Sequence, residues 1–231
     1  MNILAIGDTA DNIFTLKKFL KKSKIHLITF PRKGDALLTN SEEVEFFDSL
    51  LISKQVKKIK SIKNNFDICL AMSWSGARVA YLAGLNYIMY FVGNDITTPP
   101  FLSKGKISHL KNPTHKKNFF ERKFYKKIFS KAIFCITTSK EYHDHLKKYR
   151  KDGIRIDRVI VDNILFNENI KSIKRDKNKF TFLSPQRIGI EKGHDIIWKA
   201  LPLCKSDFEI LQMEWYIQNN ANTLFFGRSG D

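Results

Sequence analysis

The strongest constraint on the fold is a repeated alternation between short apolar runs and segments with helical spacing. The runs cover residues 2–7, 25–30, 66–72, 87–92, 132–138 and 158–163. These runs are almost continuously apolar, whereas a strand with one solvent-exposed face alternates apolar and polar residues. Strands that are buried on both faces and separated by helices are typical of a parallel sheet covered by helices. The sequence therefore predicts an α/β fold.

Helices are predicted between these strands. The spacing of apolar residues places one after residue 11, one from Ser75 to Leu85 and one from Ser139 to Arg150, with Ser139 as its N-cap. The longest predicted helix runs from Ser41 to Lys63, with glutamates at its start and lysines at its end. That polarity complements the helix dipole, so we assign this helix to stability.

Charge and composition limit the classes of partner. The formal net charge is +17, which favours nucleic acid, an anionic membrane surface or a phosphorylated substrate, although a compositional bias toward lysine would produce the same charge without a functional cause. No apolar run approaches the roughly 20 residues that span a bilayer, and the N-terminus has no signal-peptide pattern. We expect a cytoplasmic protein. The cysteines and histidines lack metal-ligand spacing, so we expect neither a metal nor a cofactor.

The segment from Phe180 to Leu201 predicts an anion site. A short apolar run, residues 180–183, is followed by a loop containing Arg187 and Lys192 and then by residues with helical spacing. In an open α/β sheet, ligands bind beyond the carboxyl ends of the strands, and the next helix N-terminus favours an anion. Two cations at this point suit a diphosphate. The alternative is a solvated turn.

This segment, with Arg187 and Glu191-Lys192-Gly193, resembles the start of the C-terminal domain of group 1 (family 4) GT-B glycosyltransferases. The resemblance implies a GT-B fold with two Rossmann-like domains, in which Arg187 and Lys192 bind the diphosphate of a nucleotide-sugar donor. It also implies transfer of a sugar, with retention of anomeric configuration, to a glycan or lipid-linked acceptor. The donor would be a substrate, not a cofactor.

Further cleft or acceptor candidates follow from the same resemblance. Gly93-Asn94-Asp95 is similar to a glycine-x-aspartate turn of the family, although Val92 stands where many members have histidine. Asp95 would bind a sugar hydroxyl or, alternatively, cap the following segment. Gly7 and Asp8 follow the first strand and could contact substrate, or form a tight turn and a helix cap. The remaining candidates are Ser139 and Glu191.

A cationic helix is predicted from Lys117 to Ser130. Helical spacing groups Phe120 with the apolar half and places Phe119 in the basic half. Cations beside an exposed phenylalanine suit an interface with anionic lipid, whereas an ordinary covering helix with a solvated lysine face is the alternative. The candidate membrane-patch residues are Phe119, Arg122, Lys123, Lys126 and Lys127.

The domain organisation is predicted as an acceptor-side domain over residues 1–170, a basic linker over 171–179 and an incomplete donor domain over 179–231. Two further strands are expected near residues 208–215 and 224–226. A full Rossmann-like domain needs roughly 100 to 150 residues, so we expect a truncated second domain or a second chain that completes it. The alternatives to a glycosyltransferase are a catalytically incomplete partner subunit and a basic protein that binds nucleic acid.

Overall fold

The computed structural model describes residues 1–8, 12–30, 44–102, 117–156, 180–184, 194–205, 208–214 and 223–228. The chain divides into two compact units, one formed by Met1–Pro31 with Ala36–Asp162 and the other mainly by Asn163–Asp231. The predicted linker, residues 171–179, and the predicted strand at 158–163 lie outside the described residues.

The first unit is a parallel sheet with helices between its strands. The strands are β1 (Asn2–Ile6), β2 (Lys24–Thr29), β3 (Glu45–Phe46), β4 (Ile68–Met72), β5 (Tyr87–Phe91), β6 (Cys135–Thr137) and β7 (Ile154–Arg155). The helices are α1 (Asn12–Phe19), α2 (Ile52–Ile62), α3 (Ser73–Ala83), α4 (Phe119–Lys131) and α5 (Lys140–Lys147). Within the described residues, the strand order is β3-β2-β1-β4-β5-β6-β7, and all neighbours are parallel.

Both faces of this sheet are buried, as the continuous apolar runs predict. In β1, Leu4 and Ile6 pack into one core cluster, while Ile3 and Ala5 pack into another. Successive side chains of a strand point to opposite faces, so the two clusters lie on the two sides of the sheet. The prediction of an α/β fold with a covered parallel sheet is therefore confirmed.

The predicted long helix from Ser41 to Lys63 is wrong over residues 44–51, and its first three residues, 41–43, lie outside the described residues. Glu45 lies in β3 and forms ion pairs with Lys58 (2.6 Å) and His26 (2.8 Å). Partial burial raises the pKa of Glu45, but these two partners outweigh burial and lower its pKa overall. The contact with β2 continues one residue beyond β3, where the Phe47 amide donates to the Thr29 carbonyl (2.9 Å). Tertiary pairing thus overrides the helical pattern, and α2 begins only at Ile52.

A glycine permits the close approach of α3 to β1. An added Cβ at Gly76 would lie 2.3 Å from the backbone oxygen of Ile6, well inside van der Waals contact. Since both groups belong to buried elements, a side chain at this position would push the helix away from the sheet.

Gly76→Ala is expected to lower the free energy of unfolding by about 1–3 kcal/mol, because overpacking forces backbone shifts. Urea unfolding followed by circular dichroism measures the change. Gly93→Ala is the matched control, since an added Cβ there meets no atom within 4 Å. Equal stability of the two variants would contradict close packing at Gly76.

The second unit contains a smaller sheet. Its described elements are β8 (Phe180–Ser184), α6 (His194–Ala200), β9 (Phe208–Glu214) and β10 (Thr223–Arg228). The predicted strand, helix and two later strands are therefore present. β8 and β9 are parallel, whereas β9 and β10 are antiparallel. Residues 215–222 between β9 and β10 are fewer than the dozen or so that a parallel crossover needs.

None of the helices in the described ranges has both the length and the apolar character required to cross a membrane.

Candidate functional site

The strand order of the first sheet creates a topological switch point at its carboxyl edge. After β1 the chain moves outward to β2 and β3, and it then returns to β4 on the other side of β1. Loops that leave β1 and β4 therefore diverge. In open α/β sheets this switch point is where ligands bind. It is formed here by Gly7 and Asp8 after β1 and by Ser73 and Trp74 after β4.

Gly7 forms the turn at the end of β1, and this turn requires a residue without a side chain. Its φ of +83° is in the left-handed region, and an added Cβ would lie 3.2 Å from the ring of Phe30 and 3.4 Å from the Met72 carbonyl oxygen. The Gly7 amide donates to the Ile28 carbonyl (2.8 Å). The turn is thus fixed between the ends of β2 and β4.

Asp8 is buried and caps the start of α1. Its Oδ1 accepts from the amide of Ile13 (3.0 Å), and its Oδ2 accepts from the amide of Phe14 (2.8 Å). Its own amide donates to the hydroxyl of Thr29 (3.1 Å). This is the capping geometry that the sequence offered as the alternative to substrate contact, and it holds the β1 loop in place.

Ser73 was missed by the sequence analysis, which began this helix at Ser75. It directly follows β4 and has a φ of +60°, a strained conformation for a residue with a side chain. Its side chain hydrogen-bonds to the carboxyl group of Asp95. A polar residue at the end of a buried strand is the signal that could have identified it, but the sequence does not show its backbone conformation.

Asp95 lies beyond β5, in a short 3-10 helix over Asn94–Ile96. Burial raises the pKa of its carboxyl group, and the hydrogen bond from Ser73 offsets part of this effect. The indole Nε1 of Trp74 donates to the Asp95 carbonyl oxygen (2.8 Å), which holds the β5 turn against the end of β4. The arrangement presents a partly buried carboxyl group and a hydroxyl group to the carboxyl edge.

Ser139 follows β6 and caps α5, as predicted. Its hydroxyl oxygen accepts from the amide of Tyr142 (3.2 Å). Burial raises the pKa of the Tyr142 hydroxyl, and the negative charges of Glu141 and Asp95 raise it further. The short helix over 94–96, which contains Asp95, contacts α5, so the residues that follow β5 and β6 lie side by side.

The structure thus brings the predicted residues of the first unit to one edge of one sheet. Gly7 and Asp8 follow β1, the 93–95 turn follows β5, and Ser139 follows β6. Val92, which replaces the histidine of the resembling family, packs against the core cluster. The predicted donor residues Arg187, Glu191 and Lys192 lie outside the described residues, as does the side chain of Asn94.

The opposite, amino edge of the sheet has a groove of about 230 Å³. Its lining includes Lys63, Asp67 and Asn86, and it contains none of the candidate site residues. Among the described residues, no group of three or more histidine, cysteine, aspartate or glutamate side chains could hold a metal ion. Cys69 and Cys135 are buried free thiols, and burial raises the pKa of both, that of Cys135 to about 12.

No protein-family model matches the sequence, and no curated protein sequence matches it. Among solved structures, the chain is similar to the UDP-GlcNAc 2-epimerase from Methanocaldococcus jannaschii, with a TM-score of 0.51 and 14% identity over 92% of this chain. It covers 65% of the epimerase chain. A UDP-glucosyltransferase from Polygonum tinctorium gives a TM-score of 0.47 at 11% identity, with 91% of this chain and 65% of that chain covered. UGT2 from Phytolacca americana gives a TM-score of 0.43 at 10% identity, with 80% of this chain and 59% of that chain covered.

These findings define the fold class. The similarity to the epimerase, together with the seven-stranded parallel sheet formed by the described residues, shows an α/β fold of the GT-B type with a Rossmann-like first unit. The predicted fold class is confirmed. The chain spans slightly less than two thirds of the length of the epimerase.

Proposed function

We propose that the protein is a group 1 (family 4) glycosyltransferase that transfers a sugar from a nucleotide-diphospho-sugar to a hydroxyl acceptor with retention. The observation that carries this proposal is the convergence of Ser73, Asp95 and Ser139 on the carboxyl edge of a GT-B sheet. The name of the similar epimerase includes a nucleotide sugar, which supports the same class of donor here.

The proposed donor-binding residues are Arg187 and Lys192, with Glu191 beside them. Their positions between β8 and α6 match the strand, loop and helix pattern expected for an anion site. Two fixed cations would stabilise the negative charge that develops on the departing diphosphate. This role requires no covalent bond between the protein and the sugar.

The proposed acceptor-binding residue is Asp95, positioned by Ser73. A carboxylate accepts hydrogen bonds from sugar hydroxyls, and a charged acceptor makes these bonds stronger than neutral ones. The Ser73 hydroxyl and the Trp74 indole restrain Asp95 through its side chain and its backbone, respectively. We assign Gly7, Gly93, Asn94 and Ser139 to the surroundings of the acceptor, and Asp8 to the support of the β1 loop.

Arg187→Ala and Lys192→Ala are each expected to weaken binding of the nucleotide diphosphate by about tenfold, the loss of roughly one charge-assisted hydrogen bond. Isothermal titration calorimetry with UDP and with GDP measures the affinity. Lys199→Ala is the matched control, because Lys199 is an exposed lysine on the neighbouring helix α6. Unchanged affinity for both nucleotides in both variants would remove the donor assignment.

A further inference from the structure

The start of α4 is fixed by a reciprocal cap. The side-chain oxygen of Asn118 accepts from the amide of Glu121 (2.8 Å), and the carboxylate of Glu121 accepts from the amide of Asn118 (3.1 Å). The helix therefore begins at Phe119, and the direction of each later side chain follows from 100° per residue. Glu121, the sole acidic residue of α4, also forms an ion pair with Lys117 (3.5 Å).

The inward side of α4 is set by aromatic packing. Ile128 and Phe129 are buried, and Phe129 lies against Trp74 with a centroid distance of 5.8 Å. Tyr125 also contacts Trp74 (6.0 Å), while Phe124 contacts Tyr81 (5.8 Å). These contacts leave one continuous side of the helix facing outward.

That outward side, here called the lysine-phenylalanine face, contains lysine, phenylalanine and one serine. Phe119 is 63% exposed and Phe120 is 79% exposed. The other members are also exposed: Lys123, Lys126, Lys127, Ser130 and Lys131. At 100° per residue these seven residues occupy an arc of about 140°.

One sequence prediction about this helix is wrong. Phe120 was grouped with the apolar half, but it is exposed because the packed arc begins near Phe124. Arg122 is partly exposed and lies at the flank of the packed side, so its membership of the patch stays a prediction. The structure adds Phe120 and Lys131 to the exposed members of the candidate patch.

We propose that the lysine-phenylalanine face binds the anionic headgroups of a membrane surface. The negative potential of an anionic leaflet attracts lysines at its surface. Transfer of phenylalanine rings out of water into the boundary between headgroups and acyl chains also makes the binding free energy more favourable. In a helix that only covers a sheet, two exposed phenylalanines on the solvent-facing side add no stability, because their rings are not buried. The arc carries no acidic side chain that would oppose the contact.

Lipid fits this face better than nucleic acid does. Its cations are all lysine, a point charge, whereas bidentate phosphate and base recognition favours the planar guanidinium of arginine. The rings of Phe119 and Phe120 pack edge to face, with centroids 5.7 Å apart and planes at 79°. They therefore do not form two separate platforms for successive stacked bases. This inference does not depend on the proposed sugar transfer.

Vesicle flotation tests the proposal with the whole chain. Phosphatidylcholine vesicles with and without phosphatidylglycerol are compared, and stronger binding to the anionic vesicles is expected. Lys123→Glu with Lys127→Glu should lower binding to anionic vesicles by at least about 25-fold, since each lysine contributes roughly fivefold. Phe119→Ser with Phe120→Ser should lower it by about tenfold.

The matched control is Lys57→Glu with Lys60→Glu on α2, which changes two exposed lysines by the same total charge. It should alter binding by no more than about twofold, because α2 and α4 lie on different sides of α3 and these two lysines are not part of the lysine-phenylalanine face. Thermal unfolding checks that every variant remains folded. Absent binding, equal binding to neutral and anionic vesicles, equal losses in the two lysine pairs, or displacement of vesicles by single-stranded DNA would each overturn the proposal.

Discussion

Trp74→Ala is expected to lower the free energy of unfolding by about 3 kcal/mol, the low end of the range for truncating a large aromatic core residue, because Trp74 is only partly buried. Its ring contacts Phe91, Phe101, Tyr125 and Phe129, with centroid distances of 5.6 to 6.0 Å. The same indole also donates to the Asp95 carbonyl. Truncation therefore removes aromatic packing between α3 and α4 and releases the β5 turn. Chemical denaturation followed by circular dichroism measures this loss.

Trp74→Phe separates the two contributions. It retains an aromatic ring and removes the indole donor, so a loss of about 1 kcal/mol is expected from the hydrogen bond. Stability equal to that of Trp74→Ala would show that packing by this ring contributes little. Unchanged stability in both variants would contradict the described role of Trp74.

Asp95→Asn is expected to raise stability at neutral pH while lowering sugar transfer by about 100-fold. Burial raises the pKa of Asp95, so the charged form is disfavoured in the folded protein. Asparagine carries no charge to bury. In the proposed function, however, it makes a weaker hydrogen bond to the acceptor hydroxyl, and a bond to a charged group contributes about 1.5–3 kcal/mol. Thermal unfolding and product formation measure the two effects.

The sign of the pH effect provides a separate check. The folded-state pKa of Asp95 lies above its unfolded value, so the folded protein holds the proton more tightly. The contribution of Asp95 to stability should therefore fall as pH rises from the unfolded pKa, about 3.9, through the folded pKa, and the difference between native protein and Asp95→Asn isolates it from carboxyl groups with lowered pKa values such as Glu45. The advantage of Asp95→Asn should be greatest above that window and vanish below it. An advantage that persists at the acidic end would contradict the raised pKa.

Ser73→Ala is the companion variant for the same site. It keeps a Cβ at the positive φ and removes the hydroxyl that bonds to Asp95, so it tests positioning without changing charge. Transfer should fall while nucleotide affinity remains unchanged. Loss of nucleotide affinity would instead indicate damage to the fold or to the donor site.

The central strands β1, β2, β4, β5 and β6 were predictable because burial on both faces leaves a continuous apolar run. The two-residue strands β3 and β7 were not predicted, because they are too short to leave such a run. Helix boundaries were less predictable where tertiary contacts compete, as Glu45 shows by pairing with Lys58 and His26 in place of extending α2. The outward arc of α4 also required the structure. A periodic sequence gives relative side-chain directions, but tertiary contacts such as those with Trp74 and Tyr81 determine which arc is covered.

Some residues of the candidate site were also predictable from the sequence, and others required the structure. Gly7, Asp95 and Ser139 could be selected because the resemblance to the glycosyltransferase family implied them, and the structure places all three at the carboxyl edge of the sheet. Ser73 could not, since its importance rests on a backbone angle and on a partner 22 positions away in the sequence. The cap formed by Asp8 was an explicit alternative, and the contacts to Ile13 and Phe14 show it directly.

The approach of Gly76 to Ile6 has a consequence for sequence divergence. The close contact between α3 and β1 is made by a main-chain oxygen and a glycine, so it depends on no particular apolar side chain. Neighbouring core residues can exchange for others of similar volume without altering it. A framework fixed in this manner tolerates extensive replacement of its side chains, which fits a shared architecture at 14% identity with the epimerase.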